Sequence, residues 1–515
     1  MKNALIYISL SLLVLLQACS RMDDDAGIAT SNPAGPVLVK KAQQVKIDET
    51  APYSKQKLDQ VVIATMEQKG DFRFENEALM LTWSALQYGD HSLAIGYKPA
   101  SVSDVRPILH EINLRSNEWK AVHDELIQFI LDELKKATGE AVNWNTILIE
   151  DDPVLPILTI KLSDKNVLTA LANLENVRYL EPLDFWPEQI ERSSSGCDNS
   201  TTTINSTDFS TITPSARLPW NFNNINVPAA WNTAQGQGIT IGVIDAGISS
   251  AQTLLGSQFQ NGLSGGRTIT TDFTLGNSAY TSCTHGTSMC GLAAGPRNDL
   301  NASTGVAYKA NLHFIRACDD VVLDASAEKT AVKNALVRMG NRSDVRIVSM
   351  SIGSPFYSSA LYDGVVYANN RGKLIFAAAG TSFSWTSWYG VIYPAYHSEC
   401  VAVTGVKENS STCASCHDGS QVDFTVPMER SSDSNRNSLS LKTSGSAPAY
   451  IGGSSCATAI TAGVAALVWS AKPTLTKTQV FNALRNTSQY YPSINGSRGY
   501  GNINASAAVA AALTY

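Results

Sequence analysis

A chain of 515 residues, 44% of them hydrophobic, is long enough to bury large cores and to divide into two or three domains. Its formal net charge of −6 and sequence pI near 5.7 give no support for nucleic-acid binding, which wants a basic patch. No stretch after the first 18 residues reads as a transmembrane segment.

Met1-Lys2-Asn3 followed by an apolar run to Leu16 is too short for an ordinary spanning helix and predicts an export signal over residues 1–18. Leu16-Gln17-Ala18-Cys19 resembles the lipobox of bacterial lipoproteins, in spite of the unusual Gln17. That resemblance implies lipidation at Cys19 and a membrane anchor on the exported side, with plain secretory cleavage as the alternative. Residues 19–54 are polar with scattered Pro and read as a tether. Residues 55–90 show helical spacing in part and carry no evident chemistry.

An α+β pattern occupies residues 91–191. His91–Tyr97 is strand-like, and Trp119, Val122, Leu126, Phe129, Ile130 and Leu134 line one face of a helix. Thr146–Ile149 and Ile157–Leu162 read as strands, Ser163 caps a helix with Val167, Leu168, Leu171 and Leu174 inward, and Val177–Leu180 closes the set. The order β-α-β-β-α-β predicts a ferredoxin-like module. Residues 192–217, rich in Ser, Thr and Asn, read as an exposed linker open to cleavage. From residue 218 strands alternate with helical segments, which predicts a doubly wound parallel sheet.

Three segments of this last region carry chemistry. Gly238-Ile-Thr-Ile-Gly-Val-Ile-Asp245-Ala-Gly247 is a buried-strand pattern with an acid at its carboxyl end, where open α/β sheets build sites. Cys283-Thr-His285-Gly-Thr-Ser-Met-Cys-Gly-Leu-Ala-Ala-Gly295 heads a helix of small residues with a histidine. Gly452-Gly453-Ser454-Ser455-Cys456-Ala457 puts a serine at a helix start, where free N–H groups stabilise developing negative charge. Singly, these residues could cap a turn, sit satisfied in a core, and cap a helix. In the order Asp, His, Ser they resemble the subtilisin-like serine proteases. The resemblance extends through Gly305–Leu312, Val348–Gly353, Phe376–Gly380 and Pro473–Val480.

The resemblance implies a serine endopeptidase acting on polypeptides with Asp245, His285 and Ser455 as a triad. Ser351, Ile352 and Gly353 would form an edge strand that pairs with substrate main chain. The 91–191 module would be the enzyme's own inhibitory propeptide, above all in Leu158–Pro182, with its tail in the active site. One departure is serious: Thr381 stands where the family's Asn completes the oxyanion hole. Cys456 and Ala459 replace a common Met and Pro. The rival reading is a catalytically impaired, protease-like binding protein. No cofactor is needed for the chemistry; by family analogy a structural calcium could take oxygens from Asp272, Asp299 and Asn301, although their spacing is no recognisable ligand loop. With Cys19 lipidated, the other eight cysteines allow 105 pairings, and none is assigned. Cys413-Ala-Ser-Cys416-His417 matches the c-type haem attachment pattern, outweighed by its setting in a protease loop.

Overall fold

The computed structural model describes residues 37–190, 196–197, 203–283, 285–381 and 390–515. The export signal and Cys19 lie outside them, as does most of the stretch from 191 to 202. Helices α1 (Lys55–Lys69) and α2 (Leu79–Leu86) precede the N-terminal module. That module runs β1 (Ser92–Tyr97), α3 (Asn117–Thr138), α4 (Trp144–Ile147), β2 (Leu148–Asp151), β3 (Ile157–Lys161), α5 (Lys165–Ala172) and β4 (Val177–Pro182). Its sheet has the order β2-β3-β1-β4 with every neighbour antiparallel, the arrangement expected of a ferredoxin-like module.

Helix α3 buries Trp119, Val122, Leu126, Ile130 and Leu134 at helical spacing and stops at Gly139 in the left-handed conformation; Phe129 lies half-buried at the edge of the stripe. Two boundaries differ from expectation. Asn143 Oδ1 accepts the Asn145 N–H at 3.0 Å and starts a helical turn, so the strand expected from Thr146 begins at Leu148. Asp164 rather than Ser163 caps α5, its carboxylate accepting the N–H groups of Asn166 and Val167 at 2.7 and 3.0 Å. Nor is the end of the expected tether loose, because Val39, Lys41 and Val45 bond through their N–H groups to Asn173 and Asn176.

Residues 203–217, expected as linker, form part of a hairpin of β5 (Phe209–Ile212) and β6 (Ala216–Pro219). Composition alone reads this segment as solvent-exposed, but fully buried Asp208 anchors it: the carboxylate accepts from Arg430 at 2.9 Å, from Arg436 at 2.6 and 2.8 Å, and from the Tyr450 hydroxyl. Short helices α6 (Trp220–Asn224) and α7 (Val227–Ala230) follow.

The large domain then runs β7 (Thr240–Asp245), β8 (Ile269–Phe273), α8 (His285–Ala294), β9 (Asn311–Arg316), α9 (Ser326–Asn341), β10 (Val345–Met350), α10 (Ser359–Asn370) and β11 (Leu374–Ala378). It continues with β12 (Cys400–Lys407), β13 (Phe424–Arg430), β14 (Asp433–Ser440), β15 (Ala449–Ile451), α11 (Gly453–Ala471), α12 (Lys477–Asn486) and α13 (Ala505–Ala512). Nine strands form one sheet in the order β15-β14-β13-β12-β11-β10-β7-β9-β8. It is parallel from β8 to β13 and antiparallel at β14 and β15, so the expected all-parallel sheet is mixed at one edge. Both faces are covered: Ile241 and Val243 of β7 enter one core and Ile244 the other. Helix α11 is apolar and long enough to cross a membrane, yet 89% of it is buried in the first of these cores.

The N-terminal module docks on α9 and α10. Arg178 of β4 grips fully buried Asp363 of α10 through two bonds of 2.8 and 2.9 Å, joined by Arg106 at 3.2 Å and the Tyr179 hydroxyl at 3.0 Å. Lys333 of α9 pairs with Glu150 at 2.7 Å and with Asp152. Buried Glu181 accepts the Ala360 N–H at 3.0 Å near the start of α10.

Candidate active site

Asp245 ends β7 with its side chain fully buried, and His285 begins α8 with 3% exposure. His285 Nδ1 donates to the two carboxylate oxygens at 2.8 and 3.0 Å, and Asp245 Oδ1 also accepts the Ala246 N–H at 2.8 Å. This fixes the imidazole proton on Nδ1 and leaves Nε2 as a base. The close approach depends on Gly286, where a Cβ would lie 2.3 Å from the Gly247 carbonyl and 2.8 Å from the Phe314 ring.

Ser455 lies in the first turn of α11, which has no side-chain cap. The N–H groups of that turn therefore have no partner within the helix. Gly453 opens the helix at φ +78°, a conformation cheap only for glycine. Ser455 Oγ donates to the Ser351 carbonyl at 3.3 Å, and Ser351 Oγ donates to the Ser455 carbonyl at 2.8 Å, tying the exit of β10 to the start of α11. Among the described residues Ser455 makes no hydrogen bond to His285; such contacts often tighten only when substrate is bound.

Thr381 converges on the same turn. Its hydroxyl lies 3.5 Å from Ser454 Oγ and 2.9 Å from where a Cβ on Gly453 would stand. The segment is held by a bridge between Thr381 and Cys416 and by the bond from His417 N–H to the Gly380 carbonyl at 3.0 Å.

Ser351, Ile352 and Gly353 are buried. The edge expected to be open at Gly353 is occupied: its N–H donates to Val321 O and its carbonyl accepts from Leu323 N–H, both at 2.9 Å. Chain 321–323 thus lies where substrate main chain was expected, and Val322 is covered in turn by the tail of the module. Phe185, Trp186 and Ile190 form one buried cluster with Val322 and Phe356, with the Trp186 and Phe356 rings edge-on at 5.1 Å.

Cys197 is disulfide-bonded to Cys283, two residues before His285, and Cys413 to Cys416. The first pairing had no signal in the sequence, whereas the second joins the two cysteines of the Cys413-Ala-Ser-Cys416 motif. The second leaves no thiol for haem attachment. Cys290, Cys318, Cys400 and Cys456 are free and buried, and desolvation pushes the Cys456 thiol well above its ordinary value. Two of the three oxygen donors considered for calcium are engaged by arginines: Asp272 with Arg338 at 2.8 Å and Asn301 with Arg217 at 3.1 Å. Among the described residues no group of three or more His, Cys, Asp or Glu side chains could hold a metal.

A model of the subtilase family matches residues 236–502. The M-protease of Shouchella clausii (strain KSM-K16) is 27% identical over 395 residues, covering 76% of this chain and 89% of that protein. Subtilisin Savinase of Lederbergia lenta is 30% identical over 294 residues, covering 56% of this chain and 98% of the relative. The solved structure of MycP1 from Mycobacterium smegmatis matches at 20% identity with a TM-score of 0.46, covering 59% of this chain and 87% of its own.

Proposed function

The chain belongs to the subtilase family of serine proteases, and from that premise we propose that it is an exported endopeptidase, made as a self-inhibited zymogen and anchored to a membrane by lipid on Cys19. The observation that carries the catalytic assignment is the Asp245–His285 bond pair at 2.8 and 3.0 Å at the carboxyl end of β7, with Ser455 bonded to Ser351 at the exit of the neighbouring parallel strand β10. In the reaction, Ser455 Oγ attacks the peptide carbonyl while His285 Nε2 takes its proton, and Asp245 stabilises the imidazolium. The oxyanion is held by the open N–H groups at the start of α11 and by the Thr381 hydroxyl. His285 then gives its proton to the leaving amine, and water attacks the acyl-enzyme with the same base. Substrates are polypeptides, and their main chain pairs at Ser351–Gly353 once Val321–Leu323 moves aside.

The module of residues 91–191 is read as the propeptide, supported by the burial of its tail on Val322 and Phe356. The non-catalytic rival has nothing in its favour beyond Thr381. Labelling with a fluorophosphonate probe tests the assignment: the wild-type chain should label and Ser455→Ala should not. Equal labelling of both would remove Ser455 as the nucleophile. Metabolic labelling with a fatty acid, lost in Cys19→Ser, tests the anchor.

A further inference from the structure

The buried tail has a second support besides the catalytic face. Helix α1 presents Leu58, Val62 and Met66, each at most 1% exposed, to the cluster that holds Phe185, Trp186, Ile190, Val322 and Phe356. The tail's polar main chain is served by the same helix. Lys55 Nζ donates to Trp186 O at 2.7 Å, and Asp59 Oδ2 accepts the Glu188 N–H at 3.0 Å. Lys55 and Asp59 are themselves paired at 2.6 Å, with the Asp59 side chain fully buried. Charge-assisted bonds to main chain at a dry site are strong and fix position.

Beyond α1 the chain reaches the catalytic domain directly. Asp71 accepts from the Tyr393 hydroxyl at 2.7 Å, the Arg73 guanidinium lies 4.1 Å over the Tyr357 ring, and Glu75 accepts from Ser359 Oγ at 2.7 Å.

We propose that residues 55–77 are a clasp, separate from the α+β module, that holds the module's tail against Val322 and so keeps chain 321–323 bridged to Gly353. The proposal rests on the protease reading for its consequence, autoinhibition, and on geometry for the clasp itself. The stripe of α1 belongs to the tail cluster and contributes nothing to the cluster that fills the four-stranded module. Loosening α1 therefore frees the tail without unfolding the module. Lys55 and Asp59 are positioning residues: they act through Trp186 and Glu188 on Val322, and through Val322 on the slot beside Ser351. Cutting the chain in the linker alone leaves all these contacts in place, so activation also needs the clasp to leave.

The test uses the full chain with Ser455→Ala, which cannot cut itself, and follows amide hydrogen exchange with and without Asp59→Ala. Exchange at residues 185–190 should quicken at least tenfold while β1 to β4 keep their protection, and Asp59→Asn, which retains an acceptor oxygen, should fall between. Unchanged exchange in the tail overturns the clasp, and so does an equal rise across β1 to β4, which would make α1 part of the module's own fold. In the chain with Ser455 intact, Asp59→Ala should show activity on a fluorogenic peptide several-fold sooner, with kcat and KM of the fully processed enzyme unchanged. An equal delay in both overturns the autoinhibitory consequence. If no activity emerges from either chain, the protease reading fails, and the exchange result still decides the clasp.

Discussion

The Thr381 hydroxyl offers the sharpest test of the oxyanion assignment. It sits on the opening turn of α11, 3.5 Å from Ser454 Oγ, in an exposed position with only hydrogen on Gly453 facing it. An Asn amide reaches one bond further than a Thr hydroxyl, roughly 1 Å, and an oxyanion donor must come within about 2.7–3.1 Å. Loss of one such donor costs about 10²–10³ in kcat, or about 2.7–4 kcal/mol. A threonine stopping short should recover only part of that, so Thr381→Asn should raise kcat about tenfold, equivalent to about 1.4 kcal/mol of barrier. KM should change little, because the bond strengthens mainly in the transition state. Thr381→Val keeps the shape without the hydroxyl and should lower kcat. The assay is kcat and KM on a peptide anilide, with active enzyme counted by fluorophosphonate titration. A Val variant as fast as wild type would show that Thr381 donates nothing.

Four further outcomes are expected. Ser455→Ala should accumulate as the full-length form in a protease-deficient host; equal processing of mutant and wild type would assign the cut to another protease. Because Asp208 anchors the chain from residue 205 onward, the cut should fall before Asn205, and a cut before Cys197 should let the released module separate on a gel without reductant. Separation only after reduction would place the cut between Cys197 and the large domain. Asp363→Ala strands Arg178 and Arg106, and breaking a buried pair costs about 3–5 kcal/mol, so the processed propeptide should dissociate at least about 100-fold faster; an unchanged rate would refute this anchor. Burial raises the Glu181 carboxyl from 4.5 to about 7, outweighing the opposing effects of Ser358, the Ala360 N–H and Lys329. The docked module therefore holds a proton that the free form releases: its affinity is greatest below about pH 4.5, falls up to about 100-fold by pH 7 and then levels off. Release of the docked module, read directly as its dissociation rate in the Ser455→Ala background, should be faster at pH 8 than at pH 5, and Glu181→Gln should remove that difference.

The legible parts of the molecule were those whose chemistry demands a residue type at a fixed local position. Gly286 must lack a side chain for His285 to approach Asp245, and Gly453 must take a positive φ for Ser455 to stand in the first turn, so both left short motifs. The module was legible for another reason: α3 and α5 each bury one stripe, and the stripe repeats at the helical period. Boundaries slipped where a side-chain cap overrode periodicity, as at Asn143 and Asp164.

What remained hidden depends on partners far apart in sequence. Arg178 and Asp363 are separated by 185 positions, and neither residue's neighbours announce the other. The same holds for Cys197 and Cys283, 86 apart, and for Asp59 and Glu188. Segment 55–90 had no chemistry of its own to read, because its polar groups act on main-chain atoms of a tail that the helix meets only in the folded chain. The occupied edge at Gly353 has the same origin. A strand pattern shows that Ser351–Gly353 can pair, but its partner is chosen by how the neighbouring chain is packed, and here Val322 is buried in one cluster with Phe185, Trp186 and Ile190. The three candidate catalytic residues were therefore legible one by one, whereas the covering of the strand beside them is a property of the packed molecule.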